Sequence, residues 1–368
     1  MDKALQSRIA RRLKARRETA GLTQDQLAAA MGFNNRQTLA AVEAGERAIK
    51  PAELAMAADT LAVTPDFFTD SFTAAGEAAF SFRAEADPGA DVSSFESLAG
   101  GWLATYEALG TGEGAASSYL TPSLALTRNS SYEAAQAAAK DVGQRLRLGR
   151  VPARDLQFAL EREWGILVLY VDAPRGISGA ASRLDGLQSI MINRNEPSAR
   201  RNYDLAHELF HLLTWDAMPP RRIDSERPSS ADKRIEELAN NFAAALLMPA
   251  ATLAAGWDAS RTLDWHAWMA ATALDLEVSL SALRWRLVNL GLADSSELPT
   301  ETELRATAVR PDSGAKPQLF NVALVHRVHA AVESGRLSLR KASRILGLDA
   351  AGFAALCSAY GRQLSYEV

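Results

Sequence analysis

The alternation of apolar and polar positions divides this chain of 368 residues into stretches of different character. Over the first seventy residues the apolar positions recur at helical steps and small residues punctuate them. Ile9 and Leu13 outline one helix, stopped near Gly21. Thr23 is a good N-cap for a second, TQDQLAAAM, closed by Gly32. Asn34 or Asn35 caps a third, RQTLAAVEA, closed by Gly45, and Pro51 opens a fourth, PAELAMAADTL, before the chain leaves at Pro65 through PDFF.

Residues 71–131 are richer in Gly, Ser and Ala, and only Phe95, Leu98, Trp102, Tyr106 and Leu109 keep the helical step. This stretch reads as an acidic, partly helical connector, with a loop at GTGEGAASS. From 132 the pattern turns α/β: two helices, then the apolar burst ILVLYV (166–171), then GISGAAS and LQSIMIN on either side of a turn at Leu184–Gly186. Two helices follow, one around residue 207 and one from about Asp232 to Leu247. Residues 256–368 read as a helical C-terminal region. In it Ser279 caps one helix, a linker follows Gly291, and a helix over Leu319–Val332 precedes two short helices around Gly347. The fold class expected is mainly α with a small β-sheet, and the expected segments are 1–70, 71–131, 132–255 and 256–368.

Composition narrows the classes of function. Hydrophobic content of 48% and charged content of 23% suit two or three globular domains. No apolar run approaches the eighteen or so residues a membrane helix needs, and none follows the basic N-terminus as in a secretory signal. The single Cys357 makes no internal disulfide, which fits a reducing cytoplasm, and it supplies no cysteine cluster for a metal. The net charge is −4, yet residues 1–50 carry ten Lys and Arg against five Asp and Glu. That asymmetry points to a nucleic-acid reader joined to something else, placing the chain at the nucleoid.

The chemistry concentrates in RRNYDLAHELFHLLTW, where His207 and His211 stand four apart with Glu208 beside the first. Residues i and i+4 share a helix face, so two imidazoles can reach one zinc ion at roughly 2.0–2.1 Å. Glu208, off the ligand axis, is suited to take a proton from an attacking water as general base. The bland alternative is a helix with histidines used for packing. With five His in the chain, a chance H-E-x-x-H has odds of roughly one in a few hundred. A third ligand is available downstream in RIEELANNFAAALLMP: Glu236, with Glu237 the less suited neighbour, and Asn240 one turn on to orient it or a histidine. His266, His326 and His329 read as surface or helix-packing residues.

RRNYDLAHELFH, ELANNFAAALLMP and the preceding ISGAASRLDGLQSIMIN resemble the ImmA/IrrE family of metallopeptidases over about residues 132–255. The resemblance implies a zincin-like α+β domain with His207, His211 and Glu236 as zinc ligands and Glu208 as general base. It also implies a protein substrate, since the family cuts helix-turn-helix repressors in stress or mobile-element circuits. Phe210 stands where many members have Gly.

Ala28 and Gly32 are spaced as a helix-turn-helix requires, with a small residue at the crossing and Gly at the turn. The third helix would offer Asn35, Arg36, Gln37 and Thr38 to the major groove. Gln24, with Arg11, Arg12, Arg16 and Arg17, would meet phosphates. Leu22–Gln24, Leu27–Ala28, Gly32, Glu43 and Gly45 resemble the XRE/Cro-type motif, with one extra residue between Gly32 and Glu43. SLRKASRILG, with Arg340, Lys341, Arg344 and nearby Arg336, reads as packing or dimerisation and alternatively as a second DNA-facing pair. The whole predicts a homodimeric, operator-binding regulator with a zinc endopeptidase domain. The alternative is a regulator whose metal domain senses a metal, ligand or partner and cuts little. The layout also resembles bacterial regulators of short-chain acyl-CoA metabolism.

Overall fold

A computed structural model describes residues 3–81, 92–110, 121–184, 186–219, 230–260, 265–296, 298–300, 303 and 315–365. In chain order its helices are α1 (Lys3–Thr19), α2 (Gln24–Ala30), α3 (Arg36–Glu43), α4 (Pro51–Thr60), α5 (Pro65–Thr69), α6 (Val92–Leu109), α7 (Tyr132–Arg145), α8 (Pro152–Trp164), α9 (Ser198–Leu213), α10 (Ser230–Leu247), α11 (Ala250–Ser260), α12 (Trp265–Asp275), α13 (Leu280–Asn289), α14 (Val322–Glu333), α15 (Leu339–Leu346) and α16 (Ala350–Ala359). The strands are β1 (Ala79–Phe80), β2 (Leu167–Val171), β3 (Gly179–Leu184) and β4 (Leu187–Asn193). The loop GTGEGAASS beyond Gly110 and most of the linker after Gly291 lie outside the described residues.

The chain divides into two compact units. One comprises Met1–Ala79, Ser93–Ala115 and His326–Val368; the other comprises Phe80–Val92 and Ala116–Val325. The stretch 256–368 is thus shared between them, and α6 and the last helices group with the N-terminal helices.

In the first unit, local signals set each helix end. Thr23 and Gln26 form a reciprocal capping box on α2, and the Asn35 side chain accepts from the Thr38 N–H to start α3. Gly32, at φ +70°, makes the turn between them in a conformation that costs other residues energy. Ile9, Leu13, Leu27, Ala28, Leu39, Val42, Ala57 and Phe68 close the bundle core. Glycines inside α6 have a packing reason: a Cβ on Gly100 would lie 2.9 Å from that of Ala74. Arg327 stacks on Tyr106 of α6 at 3.7 Å, and Lys341 of α15 pairs with Asp70 at 3.1 Å while lying over Phe72.

The second unit is built on one mixed sheet of order β1-β3-β4-β2. β2 and β4 are parallel, Leu167 opposite Ser189, and β3 and β4 form an antiparallel hairpin that turns at Gly186. β2 and β4 lie where the sequence places them, β3 starts three residues later than GISGAAS and runs on to Leu184, and β1 is an addition from far upstream. Val168, Ala181, Ile190 and Ile192 of the sheet share a core with Leu205, Leu209 and Leu212 of α9 and with Leu238, Phe242 and Leu246 of α10. Each of these Val, Ile, Leu and Phe side chains contributes about 1.5–3 kcal/mol by leaving water. Arg286 of α13 donates to the Met248 carbonyl at 3.2 Å and to Gln136 of α7 at 2.9 Å, which ties α13 to the end of α10. Burial lowers its guanidinium to about 10.

Candidate metal centre

The apolar stripe of α9 fixes which side chains are left to converge. With Leu205, Leu209, Phe210 and Leu212 committed to the core, His207, Glu208 and His211 are buried too, against α10 and β3. Phe210 fills its place fully, its ring 5.5 Å from that of Phe242. The Nε2 atoms of His207 and His211 are 3.1 Å apart. Glu236 of α10 brings one carboxylate oxygen to 3.2 Å from the first and the other to 3.5 Å from the second. All three ligating atoms lie within 4.8 Å of one another.

One turn after Glu236, the Asn240 Oδ1 is 3.1 Å from His207 Nδ1. With that carbonyl accepting, Nδ1 carries the proton and Nε2 presents a lone pair toward the carboxylate. Tyr203 steadies the turn by donating to the Asn240 carbonyl at 3.0 Å. Two imidazole nitrogens and a carboxylate, gathered with lone pairs inward, are the donor set of a divalent ion such as zinc. The residues present therefore fit that metal.

Glu208 turns the other way, toward the sheet. Its Oε2 accepts from the Ala181 N–H of β3 at 2.9 Å and from the Ser81 hydroxyl at 2.8 Å. Gly179 lets β3 come this close: a Cβ there would stand 3.1 Å from the Glu208 Cγ. A cavity of about 570 Å³ opens beside the cluster, lined by Ser178, Arg200, Asp204, Trp285, His207 and Glu208 among others. Asp204 lies one turn before Glu208 on α9, and its buried Oδ2 has no hydrogen-bond donor. Burial raises its carboxyl to about 7, opposed by Arg200, whose Nε is 3.7 Å away.

The other expected residues are placed as follows. Glu237 points away from the cluster and accepts from Tyr132. His329 meets the Gln363 carbonyl and His326 faces Arg362; the side chain of His266 lies outside the described residues. In the N-terminal bundle, Asn35 and Thr38 hydrogen-bond each other at the head of α3, and Arg36 and Gln37 are exposed beside them. Gln24 donates to Glu43 at 2.9 Å.

Of the α1 arginines expected at phosphates, Arg12 and Arg17 are buried in pairs within the fold, Arg16 is half-buried and Arg11 is exposed. Arg17 forms a buried pair with Glu43 at 2.6 Å, and Arg16 donates to the Leu61 carbonyl. Arg12 reaches Glu77 and the carbonyls of Phe67, Asp70 and Thr73, with Arg11 also on Glu77. The buried guanidinium groups of Arg12 and Arg17 on the first helix serve as internal clamps here. Sequence reasoning missed Ser81, Gly179 and Asp204. Only Asp204 had a local signal, its spacing of one turn from Glu208.

Residues 8–67 match the family model of a helix-turn-helix domain, and residues 162–288 match that of the IrrE N-terminal-like domain, a peptidase M78 model. The chain joins these two domains. The pairing supports a transcriptional regulator that carries a protease-like domain. No match is found among curated proteins. Among solved structures, the apo form of the competence regulator ComR from Streptococcus vestibularis aligns over 97% of this chain and 99% of that one. Its identity is 10% and its TM-score 0.17, too low to establish a shared fold. The IrrE-like match spans β2 through α13 and so contains every residue of the His-His-Glu cluster. Among the described residues, no single helix is long and apolar enough to cross a membrane.

Proposed function

We propose that this protein is an operator-binding regulator whose IrrE-like domain is a zinc-dependent endopeptidase acting on a protein substrate. The observation that carries the reading is the convergence of His207, His211 and Glu236 beside Glu208. His207, His211 and Glu236 hold the metal, and Asn240 orients His207. When bound, zinc acidifies a water and polarises a peptide carbonyl. Glu208 takes the proton of the attacking water and passes it to the departing amine, and the cavity beside it receives the substrate's flanking residues. By resemblance to the ImmA/IrrE family, the substrate is a helix-turn-helix repressor in a stress or mobile-element response. The helix-turn-helix unit offers Arg36 and Gln37 to base edges, with Asn35 and Thr38 shaping the head of α3 and Gln24 near the backbone. A homodimer then reads two half-sites; sedimentation of a monomer alone, with and without duplex DNA, would remove that element.

The test is metal content by plasma mass spectrometry with cleavage assayed alongside. The purified protein carries near-stoichiometric zinc, His207→Ala loses it, and Glu208→Gln keeps the zinc while losing about 10²–10⁴-fold in cleavage rate. Absence of zinc after incubation with the ion, or undiminished cleavage by Glu208→Gln, refutes the reading.

A further inference from the structure

β1 has no counterpart in the alternation that predicts the rest of the sheet, and it lies at the point where chemistry is expected. It is two residues long, and it pairs with the outer edge of β3. The Ser81 N–H, just beyond β1, donates to the Ala181 carbonyl at 2.9 Å. The Ala181 N–H is shared between the Ser81 hydroxyl at 2.8 Å and Glu208 Oε2 at 2.9 Å. The same hydroxyl donates to Glu208 Oε2 at 2.8 Å.

We propose that Phe80–Ser81 is an internal occupant of the substrate edge, which holds the peptidase latent until an extended substrate segment displaces it. This rests on the endopeptidase reading above. The edge of a sheet is a row of N–H and C=O groups that an extended peptide binds by strand addition. The edge of β3 is the one beside Glu208, and its Ala181 groups are those Ser81 uses. A substrate and Ser81 therefore compete for one carbonyl and one N–H. The competition extends to the base itself. Glu208 Oε2 already accepts two hydrogen bonds, one of them from the Ser81 hydroxyl, so the carboxylate that acts as base is tied to the same segment that fills the edge.

The geometry also makes the occupant removable. β3 and β4 pair over six residues, from Gly179 opposite Ile192 to Leu184 opposite Leu187, whereas β1 contributes two. A two-residue strand with few ladder bonds is marginal and can exchange without disturbing the sheet. Ser81 lies in the stretch that follows directly on the N-terminal unit in sequence.

The experiment uses zinc-loaded, full-length protein and fluorescein-labelled casein as an unstructured probe. Ser81→Pro removes the N–H and the hydroxyl together; Ser81→Ala removes only the hydroxyl. Cleavage rises about ten-fold or more in Ser81→Pro, the scale of two lost hydrogen bonds, and by less in Ser81→Ala. Hydrogen exchange at the Ala181 amide accelerates in Ser81→Pro, and a synthetic peptide EAAFSFR, copying residues 77–83, inhibits that variant competitively. Wild type and both variants cleaving equally would overturn the inference and leave the endopeptidase standing. Slower cleavage by Ser81→Ala would also overturn it, since the hydroxyl would then be positioning the base for catalysis. No cleavage by any of the three, with stoichiometric zinc and faster exchange at Ala181, would overturn the endopeptidase reading and this inference with it.

Discussion

Each unit of this protein buries a cluster of ionisable side chains, and the two clusters are built on opposite principles. In the N-terminal unit, Arg17 donates to both oxygens of Glu43 at 2.6 and 3.1 Å and to the Leu22 carbonyl, while Gln24 donates to Glu43 as well. Positive charge meets negative charge, donors meet acceptors, and the Glu43 hydrogen bond raises the Arg17 guanidinium further above its usual range. In the second unit, two imidazoles and a carboxylate meet with lone pairs turned toward one point. Burial alone does not separate the two, since members of both are almost inaccessible to water. Complementarity does: a balanced cluster holds the fold, and a cluster rich in acceptors invites a cation.

The contrast can be broken by mutation. Glu43→Ala leaves the Arg17 charge buried without its carboxylate, and the N-terminal unit loses about 3–5 kcal/mol. Urea unfolding followed by a probe in that unit reads the loss, and a change near zero would mean that the pair is solvated. Asn240→Ala weakens zinc binding about 10–100-fold in chelator competition, because His207 loses its orienting carbonyl. Asn240→Asp, which keeps an acceptor on Nδ1, restores most of it, and equal affinity in all three would remove Asn240 from the site.

Asp204 gives a pH signature in metal-free protein. Its folded value, about 7, lies above the ordinary 3.8, so the native state binds more protons than the unfolded chain between them. Stability therefore falls as pH rises from about 4 to 7, by at most about 1.4 kcal/mol per unit, and Asp204→Asn flattens that slope. A wild type whose stability is level across the window would show Asp204 to be solvated. The smallest effect is at the head of α3, where Asn35→Ala costs about 1 kcal/mol by leaving the Thr38 N–H without its cap. Thermal unfolding of the N-terminal unit measures it.

What the sequence makes legible here is local. A spacing of four residues places His207 and His211 on one face, and Thr23, Asn35 and Ser279 each mark a helix start because a cap is a contact over three residues. The long-range pairings leave no such trace. Ser81 is 127 residues from Glu208, and a two-residue strand is too short for alternation to reveal. Arg12 and Arg17 carry the same charge as a phosphate-binding arginine. Only the fold shows that Glu77 and Glu43 have claimed them. The grouping of His326–Val368 with the N-terminal helices is hidden for the same reason.

Arg12 sets a rule for anyone who would transplant the DNA-reading module. Its guanidinium gathers the carbonyls of Phe67, Asp70 and Thr73 and the carboxylate of Glu77. A graft trimmed at residue 70, where the helical pattern ends, would strand a buried cation without its counter-ion. The transferable module runs through Glu77, eight residues past the end of α5.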